Sequence, residues 1–145
     1  MEPSVSFVTL GVRNVEMSRR FYCDGLGWTP TLLVPGEVLF LQIAHGVLLS
    51  LFDREHLARE TTGVYYGDES PPVTLGHLVD SDQAVGEVLQ RALGCGGRIV
   101  TPASRRDWGG ISGYFADPDG YLWEVAHNPG FHVGADGTVS MGDTG

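Results

Sequence analysis

The sequence predicts an α+β fold made of two βαβββ modules. Three observations lead there. Val8-Thr9-Leu10-Gly11 recurs as Val73-Thr74-Leu75-Gly76, and an echo of this kind signals duplicated structure when the elements around it repeat as well. They do repeat: each copy is followed by a short polar step, a helical apolar pattern and then strand patterns. The 145 residues, 42% of them hydrophobic, can fill one core of domain size.

The first module is expected over about residues 5–53. Phe7 to Val12 reads as a strand of β-branched and apolar residues. Asn14 suits a helix N-cap, Glu16 suits the first turn, and Gly25 and Gly27 stop the helix. Met17 and Phe21 stand four apart and are expected on one face. Thr31 to Val34 is a strand, closed by a Pro35-Gly36 turn. Val38 to Ile43 and Val47 to Phe52 pair through the Ala44-His45-Gly46 loop, where His45 is solvated. The linker, residues 54–71, opens on a helical turn and carries Tyr65-Tyr66, read as a lid or a dimer contact.

The second module is expected over about residues 72–127. Val73 to Val79 is a strand. Ser81 or Asp82 caps a helix whose Val85, Val88, Leu89 and Ala92 form one apolar stripe, and Gly94 to Gly97 ends it. Arg98 to Thr101 is a strand that Pro102 is expected to stop. Ile111 to Ala116 and Tyr121 to Ala126 form a hairpin around Asp117-Pro118-Asp119-Gly120. That motif's acids are read as turn geometry rather than a Ca2+ site, because Pro fixes φ and Gly accepts a positive one. In the tail, residues 128–145, Asp136-Gly137 between apolar runs signals a small hairpin.

Charge narrows the partners. With 18 acids against 9 bases, a net charge of −9 and no basic stripe, neither nucleic acid nor an anionic membrane is expected. All nine bases are Arg, so Schiff-base and P-loop chemistry, which need a Lys, are excluded. The most apolar stretch, Val38 to Phe52, is broken by Gln42, His45 and Gly46 and is too short to span a bilayer. Met1-Glu2-Pro3-Ser4-Val5 has no leader pattern, and Cys23 and Cys95 fit no zinc spacing. The expectation is a cytoplasmic protein with free thiols. No nucleophile elbow, dinucleotide fingerprint or Cys-His nucleophile pattern is present.

Two stretches point to a family. Phe21-Tyr22 followed by Gly25-Leu26-Gly27-Trp28, and Trp108-Gly109-Gly110 through Phe115-Ala116-Asp117-Pro118-Asp119-Gly120 to Trp123-Glu124, resemble the opening and closing signatures of the vicinal-oxygen-chelate superfamily. That superfamily holds glyoxalases, bleomycin-resistance proteins and extradiol dioxygenases, and the resemblance spans about residues 5–129. It implies that the modules form one curled eight-stranded mixed sheet in a single domain, with helices on the outer face and a cup holding a divalent metal or an organic ligand. Metal-dependent members draw His or Glu ligands from the first and last strand of each module. Here those positions fall near Phe7, near Leu49 or Ser50, at Thr74 and at Glu124, and only Glu124 matches. A shifted register makes His77 the candidate instead of Thr74, but strand alternation then turns His77 away from the cup. A catalytic zinc needs three protein ligands, and a non-haem iron two His and a carboxylate. No metal or other cofactor is therefore expected; Glu124 and His77 would be the ligands of a divalent ion if one bound.

The resemblance and this donor set together imply metal-free binding of a small apolar or aromatic molecule, as in the drug-sequestering branch. Phe7, Thr9, Ser50, Thr74, Trp108, Tyr114 and Glu124 are the expected contacts. Trp108, beside Asp107 and two glycines, suits a cleft wall or a subunit interface. Tyr114 suits sheet core equally well. Glu124, between Trp123 and Val125, would have a raised pKa if walled by aromatics, and would then serve as an acid or base. The alternative is an enzyme: a lyase or dioxygenase with an irregular metal site, or a metal-free acid–base catalyst using Glu124. A scaffold without ligand is the third reading. His127 and Glu124, three apart in a strand, face opposite ways and make no dyad. Open strand edges, together with the family resemblance, imply a homodimer.

Overall fold

The computed structural model describes residues 1–61, 71 and 73–142. The chain divides into two compact units, Met1–Gly67 and Asp68–Gly145. No helix among the described residues is long and apolar enough to cross a membrane.

The first unit runs β1 (Phe7–Val12), α1 (Val15–Arg19), β2 (Pro30–Val34), β3 (Val38–Ala44), β4 (Val47–Asp53) and α2 (Arg54–Glu60). Its sheet has the order β1-β4-β3-β2, with β1 parallel to β4 and the other pairs antiparallel. Asn14 caps α1 by accepting the Met17 N–H at 2.9 Å. Past Arg19 the helix widens into π-type turns over Arg20–Gly25. The buried stripe is Val15, Ser18, Phe21 and Tyr22, and Met17 stays 43% exposed, so the expected Met17–Phe21 face is corrected. Hydropathy missed Ser18, whose hydroxyl donates to the Asn14 carbonyl at 3.4 Å and so can be buried at little cost. Tyr22 is fully buried, edge-on to Phe21 with ring centroids 5.0 Å apart and tilted over Trp28 at 5.4 Å. Leu39 and Leu41 of β3 and Leu49 and Leu51 of β4 complete this core.

α2 takes the opposite face of the sheet. Asp53 starts it, accepting the Glu55 and His56 N–H groups at 3.1 Å each and pairing with His56 Nδ1 at 2.8 Å. A Cβ on Gly11 would lie 3.3 Å from both Arg54 Cβ and Leu57 Cδ2, so the missing side chain lets α2 lie close on β1. The linker thus opens on two turns of helix; Tyr65-Tyr66 lie outside the described residues.

The second unit repeats the plan with β5 (Thr74–Leu78), α3 (Asp82–Gly94), β6 (Arg98–Arg105), β7 (Ile111–Ala116) and β8 (Leu122–His127), then adds β9 (Phe131–Val133) and β10 (Val139–Met141). The main sheet has the order β5-β8-β7-β6, and β5 runs parallel to β8. In both sheets, therefore, the first strand lies beside the last. Ser81 is the cap of α3, and Val85, Leu89 and Ala92 are its buried stripe, with Val88 half-buried beside them. They meet the sheet face that carries Phe115, Trp123 and Val125; the rings of Phe115 and Trp123 stack with centroids 6.1 Å apart. A Cβ on Gly113 would stand 2.6 Å from Leu89 Cδ1, which shows how tightly α3 crosses β7.

Pro102 does not stop β6, contrary to the sequence expectation. β6 is an edge strand, and its ladder with β7 slips between Ile99 and Thr101 and again between Thr101 and Ser104. A proline without an N–H is tolerated where the ladder is already irregular. In the β7–β8 hairpin the Asp117 carboxylate accepts the Asp119 and Tyr121 N–H groups at 2.9 Å each, and Gly120 has φ of 87°. The acid's role there is to hold the turn. The tail hairpin expected around Asp136-Gly137 is present as β9–β10.

Candidate functional site

Phe7, Thr9 and Gly11 point away from α1, because Leu10 and Val12 are buried on its side. The parallel ladder sets Phe7 opposite Leu48, Thr9 opposite Ser50 and Gly11 opposite Phe52. Val38 and Phe40 extend this face onto β3. Phe7, Thr9, Val38, Phe40, Ser50 and Phe52, with Leu57 and Glu60 of α2, line a hollow of about 350 Å³. Three residues singled out in the sequence, Phe7, Thr9 and Ser50, meet there. The walls are mostly apolar, with two hydroxyls on its floor and one carboxylate at its edge.

The second unit builds a polar face on the side away from α3. Alternation along β8 puts Leu122, Glu124 and Ala126 together, and the ladders add Tyr114 and Ser112 of β7 and Gly76 of β5. Tyr114 pairs directly with Glu124, so the phenol and the carboxylate stand side by side on this face. Burial, and then the Glu124 charge, push the Tyr114 phenol above its ordinary range. Nearby, Arg106 Nε donates to the Ser112 hydroxyl at 2.9 Å and its Nη2 to the Ser112 carbonyl at 3.2 Å. Across from Glu124 on β5 stands Gly76; Thr74 is two residues away, opposite Leu122. A Cβ on Gly76 would meet nothing within 4 Å, so the space beside Glu124 is open on that side.

His77 pairs with Val125 on the α3 side, so it does not share the Glu124 face, although it is exposed. Crowding around its ring lowers its pKa below the usual histidine range. His127 also lies on the α3 side. Its Nδ1 is 2.7 Å from the Asp82 carboxylate, whose other oxygen accepts from Arg105 at 3.0 Å. The sequence reading missed this Asp82–His127 pair, because the two are 45 residues apart. Trp108 is 47% exposed. A Cβ on Gly110 would run into the Trp108 ring and the His127 carbonyl oxygen, so the six-membered ring of the indole lies against Gly110. A hollow of about 630 Å³ in this unit opens at the strand ends between Leu78, Asp80, His127 and the β9 residues Phe131, His132 and Val133, not over Glu124.

Among the described residues no group of three His, Cys, Asp or Glu side chains is placed to hold a metal ion. The donor chemistry agrees: Phe7, Leu49, Ser50, Thr74 and Gly76 offer at best weak hydroxyl oxygens, and Glu124 offers the one carboxylate. These residues do not fit the divalent ion of metal-dependent vicinal-oxygen-chelate proteins.

Comparison with known proteins places the fold. The family model for the Glyoxalase/Bleomycin resistance protein/Dioxygenase superfamily matches residues 4–125. A glyoxalase-related enzyme from Fulvimarina pelagi is 35% identical, with a TM-score of 0.88 over 97% of this chain and 99% of that one. A glyoxalase/bleomycin resistance protein/dioxygenase from Nocardioides is 28% identical, with a TM-score of 0.69 over 92% and 89% of the two chains. A lactoylglutathione lyase from Agrobacterium tumefaciens is 21% identical, with a TM-score of 0.67 over 88% and 95%, and shows likeness of fold alone. No curated protein matches the sequence.

Proposed function

The chain belongs to the glyoxalase/bleomycin resistance protein/dioxygenase superfamily, and from that premise we propose that it binds a small apolar or aromatic molecule without the help of a metal ion. The observation that carries this reading is the hollow of about 350 Å³ formed by Phe7, Thr9, Ser50, Phe52 and their neighbours. Its volume suits a small organic molecule, and mostly apolar walls with a few fixed polar groups are what such sites share. The metal-free part is supported by the donor set: the ladder neighbours of Glu124 are a tyrosine on β7 and a glycine on β5. A metal would need at least two more strong donors.

The test is a titration of the isotopically labelled protein with small aromatic probes such as indole and naphthol, after metal analysis of protein purified without chelator. Amide shifts clustered on Phe7, Thr9, Ser50 and Phe52, in protein free of stoichiometric metal, support the reading. No shift at those residues, or one bound transition metal per chain, overturns it.

The pairing of Glu124 with Tyr114 favours one second reading, a metal-free acid–base catalyst, because it sets two proton-carrying groups side by side on one face. We also propose a homodimer, supported by the exposed apolar side of the β9–β10 ribbon, and a cytoplasmic location, supported by the free Cys23 and Cys95.

A further inference from the structure

Arg106 differs from the other arginines of known partnership. Arg19 is held by Glu16 and Asp24, Arg20 by Glu16, and Arg105 by Asp82. Arg106 is half-buried, and both of its hydrogen bonds run to Ser112, one to the hydroxyl and one to the carbonyl. No carboxylate lies within ion-pair distance of it among the described residues. Arg59 and Arg98 also have no ion pair among the described residues, but both are exposed, so half-burial without a carboxylate sets Arg106 apart. A partly desolvated guanidinium fixed by neutral groups has N–H donors to spare, and a planar fork of this kind favours an anion.

Its position gives the anion a context. The Ser112 side chain that receives Arg106 lies on the face shared by Tyr114 and Glu124. The Arg106 charge reaches that site, where it opposes the rise in the Tyr114 pKa. The face therefore offers a cationic fork, then a phenol, then a carboxylate that only accepts hydrogen bonds, with open space over Gly76 beyond. Leu122, half-buried on the same face, supplies apolar surface beside them.

We propose that this face binds small organic carboxylates that carry a neighbouring hydroxyl or amino group: the carboxylate takes Arg106, and the neighbouring donor gives its hydrogen to Glu124. This rests on the reading of the Glu124 face as metal-free and open to an organic ligand. A carboxylate alone engages Arg106 but leaves Glu124 without gain, and meets its repulsion. A neutral alcohol satisfies Glu124 but not Arg106. A hydroxy acid serves both.

The test uses the whole protein and three matched probes: mandelate, phenylacetate, which lacks the hydroxyl, and 1-phenylethanol, which lacks the carboxylate. Binding is followed by the Arg106 Nε–H resonance and the amides of Ser112, Tyr114 and Glu124. Mandelate is expected to bind roughly tenfold or more tightly than either partial analogue. Arg106→Gln should remove that advantage and leave 1-phenylethanol unchanged, and Arg106→Lys, which keeps charge without the fork, should restore part of it. Melting curves of both variants separate loss of binding from loss of fold. If 1-phenylethanol binds as well as mandelate, or if folded Arg106→Gln binds mandelate like the wild type, the carboxylate assignment falls while the organic-ligand reading stands. If none of the three probes moves these resonances, the organic-ligand reading of this face falls, and the proposal with it.

Discussion

Tyr114 and Glu124 face each other across the β7–β8 ladder, phenol beside carboxylate. The Tyr114 phenol is thereby held protonated beyond its ordinary range, first by burial and then by the Glu124 charge. A folded-state pKa raised above the unfolded one contributes stability that is complete below the unfolded value, about 10, and is lost as pH rises through the folded value. One tyrosine should therefore ionise later than the rest in an ultraviolet pH titration. Tyr114→Phe should remove that late component and flatten the alkaline fall of the melting temperature. A titration curve unaltered by the substitution would show that the Tyr114 hydroxyl is in water.

Asp82 works the other end of the pH scale. His127 first, and Arg105 second, hold its carboxyl below the usual range. A depressed pKa contributes stability that is present above the unfolded value and lost as pH falls through the folded one. Asp82→Asn should make the acid side of the melting-temperature profile shallower, by lowering the melting temperature near neutrality, where the contribution is present, and changing it little at strongly acid pH. The flattening should be partial, because Glu16 and Asp53 are depressed in the same direction and remain. A profile parallel to the wild type would mean that Asp82 meets neither base in solution.

Gly110 has no room for a side chain, since a methyl group would strike the Trp108 ring on one side and the His127 carbonyl on the other. Gly110→Ala should cost about 1–3 kcal/mol and lower the melting temperature by several degrees. Trp108→Ala, by contrast, removes a side chain that is nearly half exposed and should leave the melting temperature close to unchanged. Adding Trp108→Ala to Gly110→Ala should recover only part of the loss, because the backbone oxygen stays. Full recovery in the double variant would place the whole constraint in the indole.

These sites show what a sequence carries and what it does not. The βαβββ order, both N-caps and the α3 stripe were legible because each depends on residues within a turn or two of one another. So was the sharing of one face by Phe7 and Thr9, since strand alternation is a local rule; that Ser50 rather than Leu49 joins them depends on the β1–β4 ladder. The Glu124–Tyr114 contact needed the β7–β8 register, which a hairpin turn constrains only loosely when its residues are all turn formers. The Asp82–His127 pair needed α3 and β8 in space. β6 was cut short at Pro102 because a proline's damage depends on whether its strand is an edge, and that is a property of the sheet. Met17 was misread because a buried serine, bonded back to its own helix, carries no hydrophobic signal.

The β9–β10 ribbon bears on assembly. Phe131 pairs with Met141 and Val133 with Val139, so all four share one side, and all four are exposed. A two-stranded ribbon is marginal in water without something to pack on, and an exposed apolar strip of this kind marks contact surfaces. Light scattering at micromolar concentration should give a dimer mass. Val139→Glu should shift the mass toward the monomer while the far-ultraviolet spectrum stays the same. A monomer in the wild type defeats the dimer.

Glu124→Gln separates the two kinds of chemistry this fold supports, because it keeps the shape of the side chain and removes its charge. If the face is metal-free, chelator treatment should leave the wild-type melting temperature unchanged, and metal analysis should give the same background for both proteins. The substitution should act instead through its neighbours. Loss of the Glu124 charge should lower the Tyr114 pKa toward, but not fully to, the ordinary phenol range, because burial is the larger cause and persists. Binding of a ligand that donates a hydrogen to Glu124 should weaken by about 1.5–3 kcal/mol, the worth of a hydrogen bond to a charged group. A wild-type protein that holds one divalent ion, loses it in Glu124→Gln and melts earlier after chelation would show that donors from beyond the described residues complete a metal site, and would return the protein to the metal-dependent enzymes of its superfamily.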